Sequence, residues 1–112
     1  SNKDNAGRDE ARDIVVRTWE KVGAARFITY AKGAKTNIAV PATFNHNLSE
    51  AIGFINAFKY NTAKTISDAD IKILLGYFQT AGVVNLYKVT PANIDNAINK
   101  MATIFNLDAS KL

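Results

Sequence analysis

The stretch TPANIDNAINKMATIF, residues 90–105, carries a complete helix signal. Thr90 is a favourable N-cap, and Pro91 follows at the first helical position, where its missing N–H costs nothing. Apolar side chains then recur every three or four residues, at Ile94, Ala97, Ile98, Met101, Ile104 and Phe105. The stretch therefore predicts an amphipathic helix, with Val89 and Ile94 packed together across its start.

A similar start signal lies upstream, at Ser67. This residue is a favourable N-cap, and Asp68 and Asp70 stand in the first turn, where the helix dipole favours acids. Ile66 and Ile71 have the spacing of a hydrophobic staple. A third helix is predicted from here to about residue 79. Residues 83–87 have the composition of a short strand, but the sequence predicts no partner strand for them.

The second helix is predicted from about Asn47 to Lys59. Asn47 and Glu50 have the spacing of a capping box, although Thr43 and Asn45 are alternative caps. The apolar positions form a stripe with further apolar residues on its flanks and on a third side: Leu48, Ile52, Ile55, Phe44, Ala51, Phe58 and Phe54. A helix that is apolar on several sides normally packs between neighbours, and the small residues Gly53 and Ala57 on its reverse side would let another backbone come close.

The first helix is predicted from about Arg8 to Lys32, after a polar segment, residues 1–7, that we expect to be disordered. One face carries Ala11, Val15, Trp19, Val22 and Tyr30, and the opposite face carries Glu10, Asp13, Arg17, Glu20 and Lys21. The periodicity predicts that the first set, with Trp19 as an anchor, faces the core. Residues 33–43 predict a loop. The four helices together predict a single all-α domain over residues 1–112, an antiparallel bundle or array.

Composition excludes several functional classes. The 112 residues contain no cysteine, so disulfides, thiolate zinc sites and a cysteine nucleophile are impossible. No apolar run approaches the ~18 residues of a membrane span. Phosphate-binding loops and the GxSxG motif are absent, so no catalytic residue and no cofactor is assigned. The net charge of +4 permits an acidic partner. On the polar face of the first helix, Arg17 and Lys21 alternate with Asp13 and Glu20, and only the pair Arg8 and Arg12 lies away from that face. This weak basic pattern argues against nucleic-acid binding.

Three residues are candidates for ligand or metal binding. Arg26 lies within the apolar face of the first helix, where a guanidinium must bind an anion, form a structural ion pair or extend to water. His46 and Glu50 stand at i and i+4 on the second helix, and could start a metal site or an acid–base pair. The alternative is a hydrogen bond between His46 and Glu50 that is purely structural, because the chain offers no second histidine as a ligand.

Several segments resemble a known family: residues 12–26, 45–54, 66–71 and 102–107. They are similar to the C-terminal part of a bacterial, exported, all-helical family of unknown function. That family is often lipid-anchored and is distantly similar to the imelysin-like proteins linked to iron uptake. The resemblance implies a periplasmic or outer-membrane-associated location. It also implies that the chain is part of a longer helical protein.

The metal-site motif of the imelysin-like proteins does not carry over. That motif is Gly-x-His-x-x-Glu, whereas this chain has one residue more between His46 and Glu50 and no glycine two positions before the histidine. The excess of apolar sides on the second helix instead predicts a non-enzymatic binding or scaffold domain. Its partner would be another helical segment or a second copy of the chain.

Overall fold

A computed structural model describes the side chains of residues 8–112 and, for residues 2–7, the backbone at the start of the first helix. The four α-helices are α1 (Asn2–Thr36), α2 (Pro41–Tyr60), α3 (Asp68–Gly76) and α4 (Pro91–Phe105). A two-residue hairpin, β1 (Gln79–Thr80) with β2 (Val83–Val84), lies between α3 and α4. The all-α prediction is confirmed. The predicted disorder of residues 1–7 lies outside the fully described residues and stays a prediction.

The helices form an antiparallel arrangement around one apolar core. Gly23 of α1 lies against Phe58 of α2, and Gly33 lies against Asn47, so these two helices run in opposite directions. Helix α4 also runs antiparallel to α1, because Arg17 contacts Ile104 near the end of α4 and Lys35 pairs with Asp95 near its start. The predicted stripe of α4 is buried at Ile94, Ala97, Ile98, Met101 and Phe105. Across the described residues, no helix has both the length and the apolar character needed to cross a bilayer.

The start signals of α3 and α4 work as the sequence predicts. The Ser67 hydroxyl accepts a hydrogen bond from the backbone N–H of Asp70, at 3.1 Å. Thr90 and Asn93 form a reciprocal capping box. Both predicted staples are buried: Ile66 with Ile71, and Val89 with Ile94. These local hydrogen bonds and contacts depend on near neighbours in sequence, which is why the pattern predicts them well.

Several predicted boundaries are wrong. Helix α1 continues to Thr36 and α2 begins at Pro41, so the predicted loop over residues 33–43 shrinks to residues 37–40. The predicted capping box at Asn47 lies inside α2, whose N-cap is Val40 without a side-chain cap bond; proline at the first position starts the helix instead. Helix α3 ends at Gly76, and the supposedly unpaired strand pairs with residues 79–80 across a turn in which Ala81 and Gly82 have positive φ angles.

The predicted core face of α1 is also wrong. Val15, Trp19 and Val22 are 67%, 49% and 52% exposed. The buried side is made instead by Ala24, Phe27, Ile28, Ala31 and Ala34, and it continues to Glu20. At 100° per residue, this side lies roughly 140° around the helix from the predicted face. The two halves of α1 carry apolar residues on different sides, and the side with the two large residues Phe27 and Ile28 packs into the core.

The N-terminal part of α1 extends past the bundle as an arm. Every residue from Arg8 to Val15 is exposed. The helix has 35 residues, against 20 in α2. At 1.5 Å per residue, α1 is therefore roughly 20 Å longer than its neighbour. The apolar row of Val15, Trp19 and Val22 begins on this arm and continues along the outer side of the bundle.

Candidate functional site

The three predicted site residues are all exposed, and the structure does not bring them together as one cluster. Arg26 lies on the outer side of α1, while His46 and Glu50 lie one turn apart on α2. Since Gly33 lies opposite Asn47, Arg26 is about eight residues, or roughly 12 Å along the axis, from the level of His46. Among the described residues, no group of three or more His, Cys, Asp or Glu side chains could hold a metal ion. Metal binding at His46 and Glu50 stays a prediction.

A groove between α1 and α2 is lined mostly by apolar and aromatic side chains. Its cavity has a volume of about 290 Å³ and is lined by Trp19, Val22, Gly23, Arg26, Phe54, Ala57 and Phe58. We call this surface the α1–α2 groove. One predicted site residue, Arg26, therefore lies at its edge, but for a reason that differs from the prediction: the face that carries Arg26 points to solvent, so its charge needs no buried partner.

Aromatic rings form the floor of the α1–α2 groove. The rings of Trp19 and Phe58 meet edge to face, with centroids 6.0 Å apart. Further along, Tyr30 and Phe54 stack at 5.9 Å. Gly23 permits this arrangement, because a Cβ atom there would lie 2.9 Å from Cε1 of Phe58. The floor is therefore aromatic, and it lies close to α1 because Gly23 has no side chain.

Two exposed residues on the α2 side of the groove are small. Gly53 and Ala57 are both exposed, and a Cβ atom added to Gly53 would meet nothing within 4 Å. The reverse side of α2, which the sequence predicts to be covered by a neighbour, is thus open to solvent in the described chain. Small side chains at these two positions leave room for a further helix backbone to approach α2 closely.

The orientation of α1 depends on a buried carboxylate that sequence reasoning placed on the polar face. The side chain of Glu20 is completely buried. Its carboxylate accepts hydrogen bonds from the backbone N–H groups of Thr65 (3.0 Å) and Ile66 (3.4 Å), and from the Thr65 hydroxyl. Because the carboxylate is charged, these hydrogen bonds are strong, and they fix the loop before α3 to α1.

Arg17 completes this network. Its guanidinium lies 3.9 Å from the Glu20 carboxylate and donates to the Ile104 carbonyl at 2.6 Å. The same group lies over the ring of Phe105, 4.3 Å from its centroid. Glu20 and Arg17 together join α1 to the loop before α3 and to the end of α4. This rotation of α1 turns Val15, Trp19 and Val22 outward. The sequence did contain a signal for the buried position of Glu20, because this residue lies on the same side of the helix as Phe27 and Ile28.

A second cavity beside α1 is lined by residues that hold the fold together. It lies near the C-terminal end of the helix and is lined partly by Lys32, Lys35 and Asp95. Lys35 and Asp95 form an ion pair at 2.8 Å, and Lys32 donates to the backbone carbonyl of Ala109. These contacts hold the C-terminal segment and α4 against α1. Because the charged groups already have partners, this cavity offers less to a ligand than the α1–α2 groove.

Comparison with known proteins identifies a family and no characterised relative. The chain belongs to the family described as Domain of unknown function (DUF4856), whose sequence profile matches residues 1–108. No curated protein and no solved structure matches the chain.

Proposed function

We propose that this member of the DUF4856 family is a non-enzymatic binding domain that docks an amphipathic helix of another protein chain in its α1–α2 groove. One observation carries the proposal: Val15, Trp19 and Val22 form an exposed row beside a groove with an aromatic floor. A contiguous apolar patch with polar surroundings is typical of an interaction site. The sequence bases the binding prediction on the apolar sides of the second helix, whereas the exposed row lies on α1.

The apolar contribution to docking follows from the exposed fractions. Complete burial of a Val-sized or larger apolar side chain stabilises by about 1.5–3 kcal/mol. Val15, Trp19 and Val22 are each roughly half to two-thirds exposed, so their burial contributes about 3–5 kcal/mol in total. This gain alone does not exceed the cost of association, which is itself several kcal/mol, so a stable complex also needs polar contacts.

The shape of the groove favours a helix as the occupant. The row on α1 repeats at i, i+4 and i+7, which is the spacing of one helix face. The exposed small residues Gly53 and Ala57 on α2 allow close backbone approach. A helix laid along both neighbours would cover the row and the aromatic floor together. This is the helix-in-groove mode of recognition.

The cellular setting in this proposal is the bacterial envelope, in the periplasm or at the outer membrane. Its support is the resemblance of residues 12–26, 45–54, 66–71 and 102–107 to an exported bacterial family. The distant similarity of that family to imelysin-like proteins supports a link to iron uptake within the same proposal. Fractionation of cells that express the full gene tests the location, and recovery in the cytoplasm would contradict it.

An apolar dye tests the exposed row directly. We expect 8-anilinonaphthalene-1-sulfonate to fluoresce strongly with the folded chain, and the double variant Val15→Ser/Val22→Ser to lose most of this signal. Ile73→Ser is the matched control, because Ile73 is 44% exposed on α3, away from the groove. Circular dichroism verifies that all variants keep their helix content. A wild-type chain that binds no dye, or an equal loss in the Ile73 control, would contradict the proposal.

A further inference from the structure

Given the proposed function, we infer that the helix docked in the α1–α2 groove is acidic, with one carboxylate for Arg26 and a second for Arg12. The two arginines stand at opposite ends of the exposed row of Val15, Trp19 and Val22. They are 14 residues apart, which places them roughly 21 Å apart along α1. The row and the two cations share one side of the helix.

The described residues beside the exposed row include basic side chains and no acidic ones. Between Arg8 and Tyr30, the side that carries the exposed row includes arginines but no acidic residue. The four acidic residues of that stretch, Asp9, Glu10, Asp13 and Glu20, all lie on other sides of the helix. A partner with carboxylates beside its apolar stripe is therefore complementary to this stretch of α1, and a basic partner is repelled there.

Both cations are available to a partner. Arg26 lines the groove and is exposed, and within the described residues it has no ion pair. The Nε atom of Arg12 lies 4.0 Å from the Asp13 carboxylate, and both side chains are largely exposed. An exposed ion pair at this distance is weak, so Arg12 can exchange Asp13 for a partner's carboxylate at little cost. The guanidinium group favours such a carboxylate because it can donate two parallel hydrogen bonds.

A second copy of the chain is a poor occupant of this surface. An isologous contact would place the outer side of α1 against the same side of its copy. Arginine would then face arginine at both ends of the row, and the weak contact of Arg12 with Asp13 is the one ion pair in the described residues that offsets this repulsion. Like charges across an interface oppose association. An anionic membrane supplies the right charge, but lipid chains do not match a concave pocket between two helices, so a protein helix fits the structure better.

The test uses two synthetic helical peptides that differ only in charge. Each peptide has about five helical turns and a stripe of leucines. In one peptide, glutamates flank the stripe on both sides with the spacing of Arg12 and Arg26. In the other peptide, lysines occupy the same positions. Because the two charges flank the stripe symmetrically, the design does not depend on peptide direction. Trp19 is the only tryptophan in the chain, so its emission reports docking at this groove. Vesicles of phosphatidylglycerol form a separate arm.

The expected result is a blue shift of Trp19 emission with the glutamate peptide and an affinity roughly tenfold higher per arginine contact than with the lysine peptide. In the double variant Arg12→Glu/Arg26→Glu, the preference should reverse. Lys72→Glu, an exposed charge change on α3, should leave it unaltered. If the folded double variant prefers the lysine peptide over the glutamate peptide, a loss of stability cannot explain that result.

The remaining outcomes separate this inference from the proposed function. Equal binding of both peptides would overturn the charge requirement and leave helix docking intact. Binding of neither peptide would contradict helix docking itself. A shift of Trp19 emission with the anionic vesicles, in the absence of a shift with the glutamate peptide, would assign the surface to a membrane and overturn the inference.

Discussion

Replacement of Glu20 by alanine tests whether the buried carboxylate fixes the position of α1. The variant removes the acceptor for two backbone N–H groups, at Thr65 and Ile66, and for the Thr65 hydroxyl. It also leaves the Arg17 guanidinium without its acidic neighbour. No other side chain of the described network can accept from the two backbone groups, so both lose a partner at a buried or part-buried position.

The expected loss of stability follows from these contacts. Removal of one partner of a buried ion pair costs about 3–5 kcal/mol. Arg17 is 40% exposed and Thr65 is exposed, so water satisfies part of the network. We therefore expect the lower end, a decrease of about 3 kcal/mol in the free energy of unfolding. For a domain near this size, such a decrease lowers Tm by about 12 °C.

Urea denaturation followed by circular dichroism measures this loss. Glu50→Ala is the matched control, because the same residue type is exposed on α2, and it should change stability by less than about 0.5 kcal/mol. Thr65→Ala removes one of the three hydrogen bonds and should cost about 1 kcal/mol. In the double variant the two losses should not add, since both act on one network. A loss below about 1 kcal/mol for Glu20→Ala would refute the reasoning.

Three further predictions follow from individual residues. The Gly53→Ala variant should be more stable than the Gly23→Ala variant by about 2 kcal/mol in thermal denaturation. The reason is that an added Cβ atom has open space at position 53 but meets Phe58 at position 23, and equal stabilities of the two variants would contradict this packing. Hydrogen bonds from Ser110 lower the pKa of the Asp108 carboxyl group. The C-terminal turn should therefore be intact when the pH is above the pKa of Asp108 in the unfolded chain, and it should open as the pH falls through the lower pKa of the folded chain. A Ser110 amide NMR signal that does not change with pH would refute this. If His46 and Glu50 bind a metal, calorimetric titration with zinc, iron and haem should show heat that His46→Ala abolishes, and unchanged heat would exclude this site.

Sequence alone predicted the parts of the fold that depend on local chemistry. The caps at Ser67 and Thr90 and the buried stripe of α4 are confirmed, because each depends on residues within a few positions. The start of α2 was missed because a proline at the first position replaced the side-chain cap that the pattern suggested. The hairpin was missed because strands of two residues carry too little periodicity to detect.

The candidate groove was only partly predictable. Trp19 and Arg26 were singled out, but with Trp19 as a core anchor, which is wrong. Helical periodicity shows which residues share a side, and it does not show which side meets the rest of the chain when the two halves of a helix disagree. The rotation of α1 is set by contacts of Glu20 and Arg17 that lie 45 to 87 positions away in sequence. The partners in such contacts cannot be identified from a local pattern, which shows only that Glu20 shares its side of the helix with Phe27 and Ile28.

The extended arm of α1 gives the domain a mechanical property. From its fixed point at Arg17 and Glu20, the helix projects as far as Arg8 by roughly 14 Å. A straight helix over this length moves as a rigid body, so a tilt of about 10° at Arg17 displaces the arm by roughly 2 Å. A pull on the arm is transmitted to the loop before α3 and to the end of α4, because the fixed point is bonded to both. The domain can thus convert a displacement at one end into a strain on its own loops.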